Sequence, residues 1–344
     1  MGSINVNLAL SARRWDEFVN SHPAASCYHL ASWATVFNKA FGHDTRYLAA
    51  ETDGEIVGIL PLVVFKSRFL RRFSVSLPFV NYGGVVADTP EVERRLVDAA
   101  IDETRAMGGE YLELRHTRQL FPSFPSKQHK VAMILPLAEN QEKQWSALDR
   151  KIRNQVRKAE KSELRVTQGG VELVEPFYDV FAHNMRDLGT PVYPRQWFQQ
   201  ILATFPDNAR AFCVWHGDQP IAASYVFWHG DTMEVPSASA LRSFNPMCPN
   251  TLLYWEMLKF AAGRGLRNFD FGRSTPGAGT YDFKRQWGAQ PHGLTWEYWL
   301  ASGDDELPDL SPQNPRVQWA IELWRHLPVP VTRAVGPLVV RNIP

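Results

Sequence analysis

The chain has 344 residues, of which 44% are hydrophobic and 12% aromatic, and its formal net charge is +1. This length and composition allow two globular domains with ordinary cores and exclude a disordered or fibrous chain. The near-zero net charge excludes a global attraction to polyanions, so contact with nucleic acid or anionic lipid requires a local patch. The three cysteines are widely spaced, which argues against a disulfide framework or a zinc site and fits a reducing cytoplasm.

No secretory signal or membrane-span-length apolar run is visible, so we expect a cytoplasmic protein. Histidines are scattered without metal-ligand spacing, and we expect no metal. One segment, 65–73, interleaves basic and aromatic residues. It fits either peripheral contact with the inner membrane or a hairpin arm with buried aromatics. The residues concerned are Lys66, Arg68, Arg71 and Arg72 with Phe65, Phe69, Leu70 and Phe73.

The first half of the chain predicts a β-hairpin, a strand, a helix and another strand, in that order. β-rich runs on both sides of the Asp-Gly turn at 53–54 indicate the hairpin. Thr and Pro at 89–90 are typical helix-start residues, and an apolar stripe extends that helix to a Gly-Gly pair at 108–109. The segment YLELR at 111–115 is then the closing strand.

The second half predicts the same order of elements. A hairpin surrounds the Gly-Asp turn at 217–218, a strand covers 232–240, Asn250 caps a helix that ends at Gly265, and 268–271 form the next strand. Such a repeat indicates a duplicated α/β unit. We therefore predict one domain over 1–140, joined by the C-terminal segment 306–344, and a second domain over 141–305.

A strongly periodic segment, 142–162, lies between the two repeats and is predicted to be one helix. Its apolar seam leaves the basic residues on the other faces. This pattern fits either a solvated surface helix or a site for a phosphate or pyrophosphate group, with Arg153 and Arg157 as the candidate ligands.

The most informative stretch is RNFDFGRSTPGAGTYDFKRQWG, from Arg267 to Gly288. Alternating apolar residues predict a buried strand, and the glycines and proline that follow predict a loop. The loop would bring Tyr281, Lys284 and Trp287 to the end of the strand. By residue type alone the stretch fits either ordinary packing or the floor of an active site.

Several stretches together resemble the FemA/FemB/FemX-type aminoacyltransferases, whose members carry two GNAT-like acyltransferase folds in tandem. They are the basic helix KIRNQVRKAEKS, the helix-glycine-strand unit NTLLYWEMLKFAAGRGLRNFDFGRS, the FK-x-x-WG pattern of YDFKRQWG and, more weakly, MRDLGTPVY. Within that group the chain looks most like the branch associated with PEP-CTERM/exosortase systems, also described as having a BioF2-like acetyltransferase domain. The likeness spans about residues 25 to 300.

The resemblance implies an α/β (α+β) fold of two GNAT-like domains with mixed sheets flanked by helices. It also implies direct attack of an acceptor amine on an activated acyl group in an inter-domain cleft. No tightly bound cofactor is implied; acyl-CoA or aminoacyl-tRNA would be the co-substrate. The acceptor would be a glycan or a lipid-linked or nucleotide-linked precursor. One departure is LRSFNPMCPN at 241–250, which lacks the glycines of the usual GNAT pyrophosphate loop and puts ordinary acetyl-CoA binding there in doubt.

Lys284 matches the family's FK lysine, which lies beside the reaction centre. As a cation it would donate to the developing oxyanion or grip a substrate carboxylate or phosphate. Proton acceptors on neighbouring strands would be Glu234 and Asp270, and Tyr281 could protonate a leaving group. Further substrate-binding candidates are Arg186, Thr190, Tyr193, Arg273 and Trp287.

The alternative function is a non-catalytic GNAT-like module that binds an anionic polymer or a membrane surface through the basic helix and the segment at 65–73. The sequence also leaves open that Arg186 and Asp187 form only a surface ion pair. The oligomeric state, the acyl donor and the acceptor stay open.

Overall fold

The computed structural model describes residues 3–8, 11–66, 72–303 and 315–344. The chain divides into two compact units: the first from Met1–Lys130 and Gly293–Pro308, the second from Val131–His292 and Asp309–Ile343. None of the helices in the described ranges is both long and apolar enough to cross a membrane.

The first unit contains a six-stranded sheet with helices packed on it. Its strands follow the order β1-β2-β3-β4-β6-β13, antiparallel except for the parallel pair β4 and β6, and β5 pairs with β3. The elements are β1 (Asn5–Leu8), α1 (Ala12–Ser21), α2 (Trp33–Phe41), β2 (Asp44–Thr52), β3 (Glu55–Phe65), β4 (Phe73–Val75), β5 (Val86–Ala87), α3 (Pro90–Ala106), β6 (Tyr111–His116) and, later in the chain, β13 (Gln290–Leu300).

The second unit repeats this order. Its strands run β8-β9-β10-β11-β12-β7, antiparallel except for the parallel pair β11 and β12. The elements are β7 (Ser126–Pro136), α4 (Gln141–Ala147), α5 (Arg150–Glu160), β8 (Arg165–Gly169), α6 (Val174–Leu188), α7 (Arg195–Thr204), β9 (Ala209–His216), β10 (Gln219–His229), β11 (Thr232–Ala240), α8 (Pro249–Gly263), β12 (Asn268–Ser274), α9 (Gly279–Gln286), α10 (Pro315–Arg325) and α11 (Val329–Val340).

The predicted α/β duplication is confirmed, but the units divide differently from the predicted domain boundaries. In each unit the sixth strand comes from the other half of the sequence: β7 follows β6 in the chain yet pairs with β12, and β13 follows β12 yet pairs with β6. The C-terminal segment also differs from its predicted place, because α10 and α11 pack on α6 in the second unit.

The predicted single helix over 142–162 is two helices. Leu148 is extended with ψ 144, and the Asp149 side chain accepts a hydrogen bond from the Lys151 amide, which starts a new helix at Arg150. An aspartate at this position stabilises a helix start by binding an otherwise unpaired amide. The apolar seam is where the sequence places it, since Leu148, Ile152 and Val156 are buried against α8.

The second-unit sheet is covered on both faces. Alternate residues of β9 and β10 pack against α5 and α8 on one face, as the core cluster around Phe212, Val226 and Leu253 shows. Residues of opposite parity pack under α6 and α7, where Tyr225 contacts Phe177 and Phe198. This burial holds the β11 and β12 strand ends in place.

At the cationic segment 65–73, Phe65 and Phe73 are buried and their rings stack 4.5 Å apart. Lys66 forms an ion pair with Asp44 at 2.6 Å. Arg68, Phe69, Leu70 and Arg71 lie outside the described residues. The described aromatics therefore fit the buried-hairpin interpretation of this segment.

Candidate functional site

The candidate site lies where the two parallel strands of the second unit separate. β11 and β12 pair only from Thr232 opposite Asn268 to Glu234 opposite Asp270. Beyond this point β11 continues along β10 to Ala240, and β12 continues along β7 to Ser274. Backbone edges that part in this way leave donors and acceptors available to a ligand.

A β-bulge shapes the end of β12. The register with β7 shifts between Asp270 and Arg273, and Gly272 adopts a positive φ of 76° that favours glycine. The Gly272 amide donates to Asp270 Oδ1 at 2.7 Å. Successive carbonyls of a regular strand point in opposite directions, but the bulge directs two successive carbonyls to one donor.

That donor is Lys284. Its Nζ donates to the carbonyl oxygens of Gly272 at 3.0 Å and Arg273 at 2.9 Å, and the residue is only 7% exposed. Burial lowers the pKa of Lys284 to about 8; the nearby Asp270 carboxylate opposes this shift and Arg273 adds to it. A lysine that titrates near physiological pH is a common feature of functional sites.

Helix α9 carries Lys284 and is held by aromatic packing. The rings of Phe283 and Trp287 lie 5.2 Å and 6.0 Å from that of Tyr254 on α8. Trp287, a predicted substrate-binding residue, is 3% exposed within the core cluster, so packing explains its position. Tyr281 is half-buried, with the Arg285 guanidinium 5.9 Å from its ring centroid.

Asp270 lies near the lysine, and a second carboxylate, Glu234, lies opposite Asp270 on β11. Glu234 and Asp270 are opposite one another in the parallel register, so both project from the same face of the sheet. They are 2% and 0% exposed. Arg273 is half-buried and close enough to lower the pKa of Lys284. The structure therefore brings the predicted residues Lys284, Asp270 and Arg273 together, and it places Glu234 opposite Asp270 on the neighbouring strand.

Sequence reasoning missed two features of this site. The carbonyls of Gly272 and Arg273 hold the lysine, yet only the glycine at a strand end hinted at a bulge. Ser274 is buried, and its Oγ has no hydrogen-bond partner among the described residues. In the sequence, the only indication that Ser274 is buried was its position after the alternating phenylalanines of NFDFGRS.

Two of the residues predicted to bind the acceptor, Arg186 and Tyr193, contact other residues of the protein. Arg186 Nε donates to Asp187 Oδ1 at 2.7 Å and its Nη1 donates to the Leu327 carbonyl at 3.3 Å. Tyr193 packs its ring near Phe181 and accepts a bond from Tyr178 through its carbonyl. Thr190 is exposed just after the end of α6. The contact between Arg186 and Leu327 links α6 to the segment that joins α10 and α11.

The predicted substrate-binding residues of the cationic helix α5 are Arg153 and Arg157. Arg157 is exposed with its guanidinium 5.6 Å from the Trp145 ring centroid, and Arg153 is half-buried. An open depression of about 530 Å³ lies instead along another face of α5, lined by Asp149, Arg150, Lys151, Asn154, Gln155 and Lys158.

The segment 241–250 forms a 3-10 helix at Arg242–Met247 before α8. Cys248 has a positive φ of 57°, and α8 begins at Pro249. The predicted cap at Asn250 is therefore wrong by two residues: Cys248 is the N-cap, and Pro249 takes the first helical position, which proline favours.

Comparisons with known proteins identify the type of domain that carries these residues. Residues 146–285 match the family model for the acetyltransferase (GNAT) domain, a range that includes Lys284 and both carboxylates. The fold is similar to FemX, with a TM-score of 0.69 and 17% identity over 85% of this chain and 96% of that one. A search of curated proteins by sequence found no match.

Two further structures share the fold. A tandem GNAT protein from the clavulanic acid biosynthesis pathway gives a TM-score of 0.57 at 11% identity, over 89% of this chain and all of that one. L-PGS from Bacillus licheniformis gives 0.53 at 11% identity, over 95% and 97%. Residues 146–285 therefore form a GNAT acetyltransferase domain, which indicates an acyl- or aminoacyltransferase.

Proposed function

We propose that the protein transfers an activated acyl group to a primary amine of a cell-envelope glycan, a peptidoglycan precursor or an exopolysaccharide component. The observation that carries the proposal is the buried Lys284 held at the end of β12 beside Asp270 within the GNAT domain. The donor is acyl-CoA or an aminoacyl-tRNA. The FemX-like fold supports a FemAB-like enzyme, and the sequence motifs resemble those of the PEP-CTERM/exosortase-associated branch.

Each step of the proposed reaction is assigned to a different residue of the site. An acceptor ammonium must lose a proton before it attacks, and the carboxylates of Glu234 and Asp270 are the nearby bases. The attack places negative charge on the acyl oxygen. A lysine ammonium has three N–H donors, and Lys284 uses two on carbonyls, so the third donates to this oxyanion. Tyr281 protonates the leaving group, and Arg273 holds an anionic part of a substrate.

The remaining predicted substrate-binding residues are assigned to binding and not to catalysis. Arg153 and Arg157 with the neighbouring Lys151 and Lys158 give α5 a cationic surface for a phosphate-bearing substrate or for tRNA. Arg186, Thr190 and Tyr193 shape the acceptor site, with Arg186 acting through its contacts to Asp187 and Leu327.

The proposal includes a cytoplasmic location and peripheral contact with the inner membrane, where lipid-linked acceptors reside. Large apolar side chains are exposed on the C-terminal helices: Trp319 is 71% and Leu323 50% exposed on α10, and Leu338 is 64% exposed on α11. Exposed apolar side chains on helices are typical of proteins that lie on a membrane surface.

The test uses the full chain with two donor classes and a panel of amines. Free CoA release is followed with acetyl-CoA and longer acyl-CoAs, and label transfer is followed with a mixture of aminoacyl-tRNAs. The acceptors are glucosamine, amino-sugar nucleotides and a lysine-containing muropeptide. Amine-dependent turnover with one donor class supports the proposal, whereas no acylated amine with either class contradicts it.

A further inference from the structure

A cavity of about 450 Å³ lies in the second unit, between α6, the start of β10 and α11. Helix α11 follows β13, the last strand of the duplicated fold, and packs on α6. One wall of the cavity therefore comes from a part of the chain that the repeat does not include. The volume is within the range of about 300–1,000 Å³ that is typical of small-molecule sites.

The walls of this cavity are mainly apolar. Aliphatic side chains come from Val180 on α6, Leu241 directly after β11 and Val329 on α11, and the prolines are Pro220 on β10 and Pro330 on α11. Such walls favour a ligand with an apolar body, because transfer of that body from water is favourable. The two prolines also present C–H groups, which are attracted to the negative face of an aromatic ring.

His183, a half-buried residue of α6, supplies a hydrogen-bond acceptor at the cavity. Its Nδ1 is 2.7 Å from the Asp179 carbonyl oxygen, which can only accept, so Nδ1 carries the hydrogen and Nε2 of the neutral ring is an acceptor. Nε2 has no hydrogen-bond partner among the described residues. It is not one of the buried polar atoms that lack a partner, so it is accessible to solvent. A ligand in the cavity can therefore reach it with an N–H or O–H group.

The charged groups at the cavity neutralise each other. Arg333 Nη2 is 2.5 Å from Asp179 Oδ1, and the Arg333 guanidinium lies 5.4 Å from the Tyr178 ring centroid. A ligand that carried a net charge would be desolvated here without a surplus counter-charge among these groups, which is unfavourable. Gln219, the remaining polar group of the lining, is uncharged. The cavity therefore favours a neutral ligand with a donor for the histidine.

We propose that this cavity binds a neutral aromatic ring that carries one N–H or O–H group, such as an indole or a phenol. The N–H or O–H group donates to His183 Nε2, and the ring packs against Pro220 and Pro330. The inference goes beyond acyl transfer and does not rest on it, because none of the residues assigned to that reaction lines the cavity.

Saturation-transfer NMR titrations of the full chain with indole, phenol and N-methylindole test the ligand class. N-methylindole keeps the apolar ring and lacks the N–H donor, so its affinity relative to indole measures the bond to His183. We expect indole and phenol to bind, and N-methylindole to bind about fivefold more weakly, as the loss of one neutral hydrogen bond predicts. The proposal is overturned if neither indole nor phenol binds, or if N-methylindole binds as tightly as indole.

A pair of histidine variants locates the acceptor. His183→Phe keeps a ring and removes Nε2, whereas His216→Phe makes the same exchange at an exposed histidine of β9 that does not line the cavity. We expect His183→Phe to bind indole about fivefold more weakly than the wild type and to bind indole and N-methylindole equally. His216→Phe should bind indole within twofold of the wild type. Unchanged indole binding by a folded His183→Phe would overturn the assignment of His183.

A second pair of variants obstructs the cavity and covers the case in which His183→Phe fails to fold. Gln219 is exposed and lines the cavity, so Gln219→Trp places a large side chain there without disturbing the core. Asp218→Trp adds the same side chain one residue earlier, in an exposed turn outside the lining. We expect Gln219→Trp to abolish indole binding and Asp218→Trp to leave it within twofold. Indole binding that survives Gln219→Trp, or that both variants reduce equally, would overturn the proposal.

Discussion

At the scale of single residues, Lys284 explains most about the site. Its ammonium is buried at the end of β12, and the displacement of its pKa from 10.5 to about 8 corresponds to a cost on the order of 3 kcal/mol at neutral pH. The two carbonyl bonds and Asp270 compensate only part of this desolvation. A residue kept at such a cost is better explained by chemistry than by packing.

Turnover should fall as the pH rises through about 8. Above the pKa of Lys284 the ammonium loses a hydrogen, and with two N–H groups still on carbonyls no donor is left for the oxyanion. The measurement is kcat against pH under saturating substrates. Lys284→Arg stays charged throughout, so its residual activity should lack this descending limb. Activity that instead rises through pH 8 would assign Lys284 the role of a base.

The same group predicts a pH dependence of stability. Folded Lys284 has the lower pKa, so between pH of about 8 and 10.5 the unfolded chain binds the extra proton. The free energy of unfolding therefore rises with pH in that window, by up to roughly 3 kcal/mol from this group. The measurement is the free energy of unfolding in urea, for the wild type and for Lys284→Met, at both ends of this pH window. Other groups titrate in both proteins, so the difference between the two pH dependences isolates the contribution of Lys284. Equal pH slopes for the two would contradict it.

At the scale of elements, the bulge in β12 places the lysine. Gly272→Ala forces a side chain into a positive φ of 76° and should cost about 1–2 kcal/mol of stability. Because it also misdirects the two carbonyls, we expect at least a tenfold loss of kcat. Gly277→Ala is the control, since Gly277 has a φ of 80° with no atom within 4 Å of an added Cβ. A similar activity for both variants would show that the bulge does not position Lys284.

Most helices and strands could be predicted from the sequence because turn residues and helix caps act on residues that are close in the chain. The turn at 53–54, with both residues at positive φ, and the Thr89 cap are where the sequence places them. The break at Asp149 was missed because an uninterrupted apolar periodicity outweighed one capping residue. The position of Glu234 opposite Asp270 could not be predicted, because it depends on the parallel register of β11 and β12, which the sequence of neither strand shows alone.

At the scale of the whole molecule, the duplication is visible in the sequence but the exchange of sixth strands is not. Each repeat is followed by a strand whose pattern is compatible with either sheet, so only the observed pairings of β7 and β13 decide between them. The place of the C-terminal helices likewise depends on long-range contacts. One of these is Ile321 against Gly189, which at a φ of 75° leaves no room for a Cβ.

Membrane contact is tested with the full chain by co-sedimentation with vesicles. We expect binding to phosphatidylglycerol vesicles and a loss of at least about 30-fold in the double variant Leu323→Gln, Leu338→Gln, because each buried leucine contributes roughly 1–2 kcal/mol. Leu8→Gln is the control, as Leu8 is 47% exposed on β1 in the other unit. Absence of wild-type binding would contradict the peripheral contact.

The most direct test of the central claim compares kcat of Lys284→Met with that of Lys259→Met, using the donor and amine that support turnover. Lys259 lies on α8 in the same unit, 39% exposed at its side chain and paired with Glu256, so it controls for the loss of a lysine. Losing an oxyanion contact of about 3 kcal/mol predicts a fall on the order of 100-fold for Lys284→Met and an effect within twofold for Lys259→Met. Turnover of a folded Lys284→Met within twofold of the wild type would contradict the assignment of the reaction to this site.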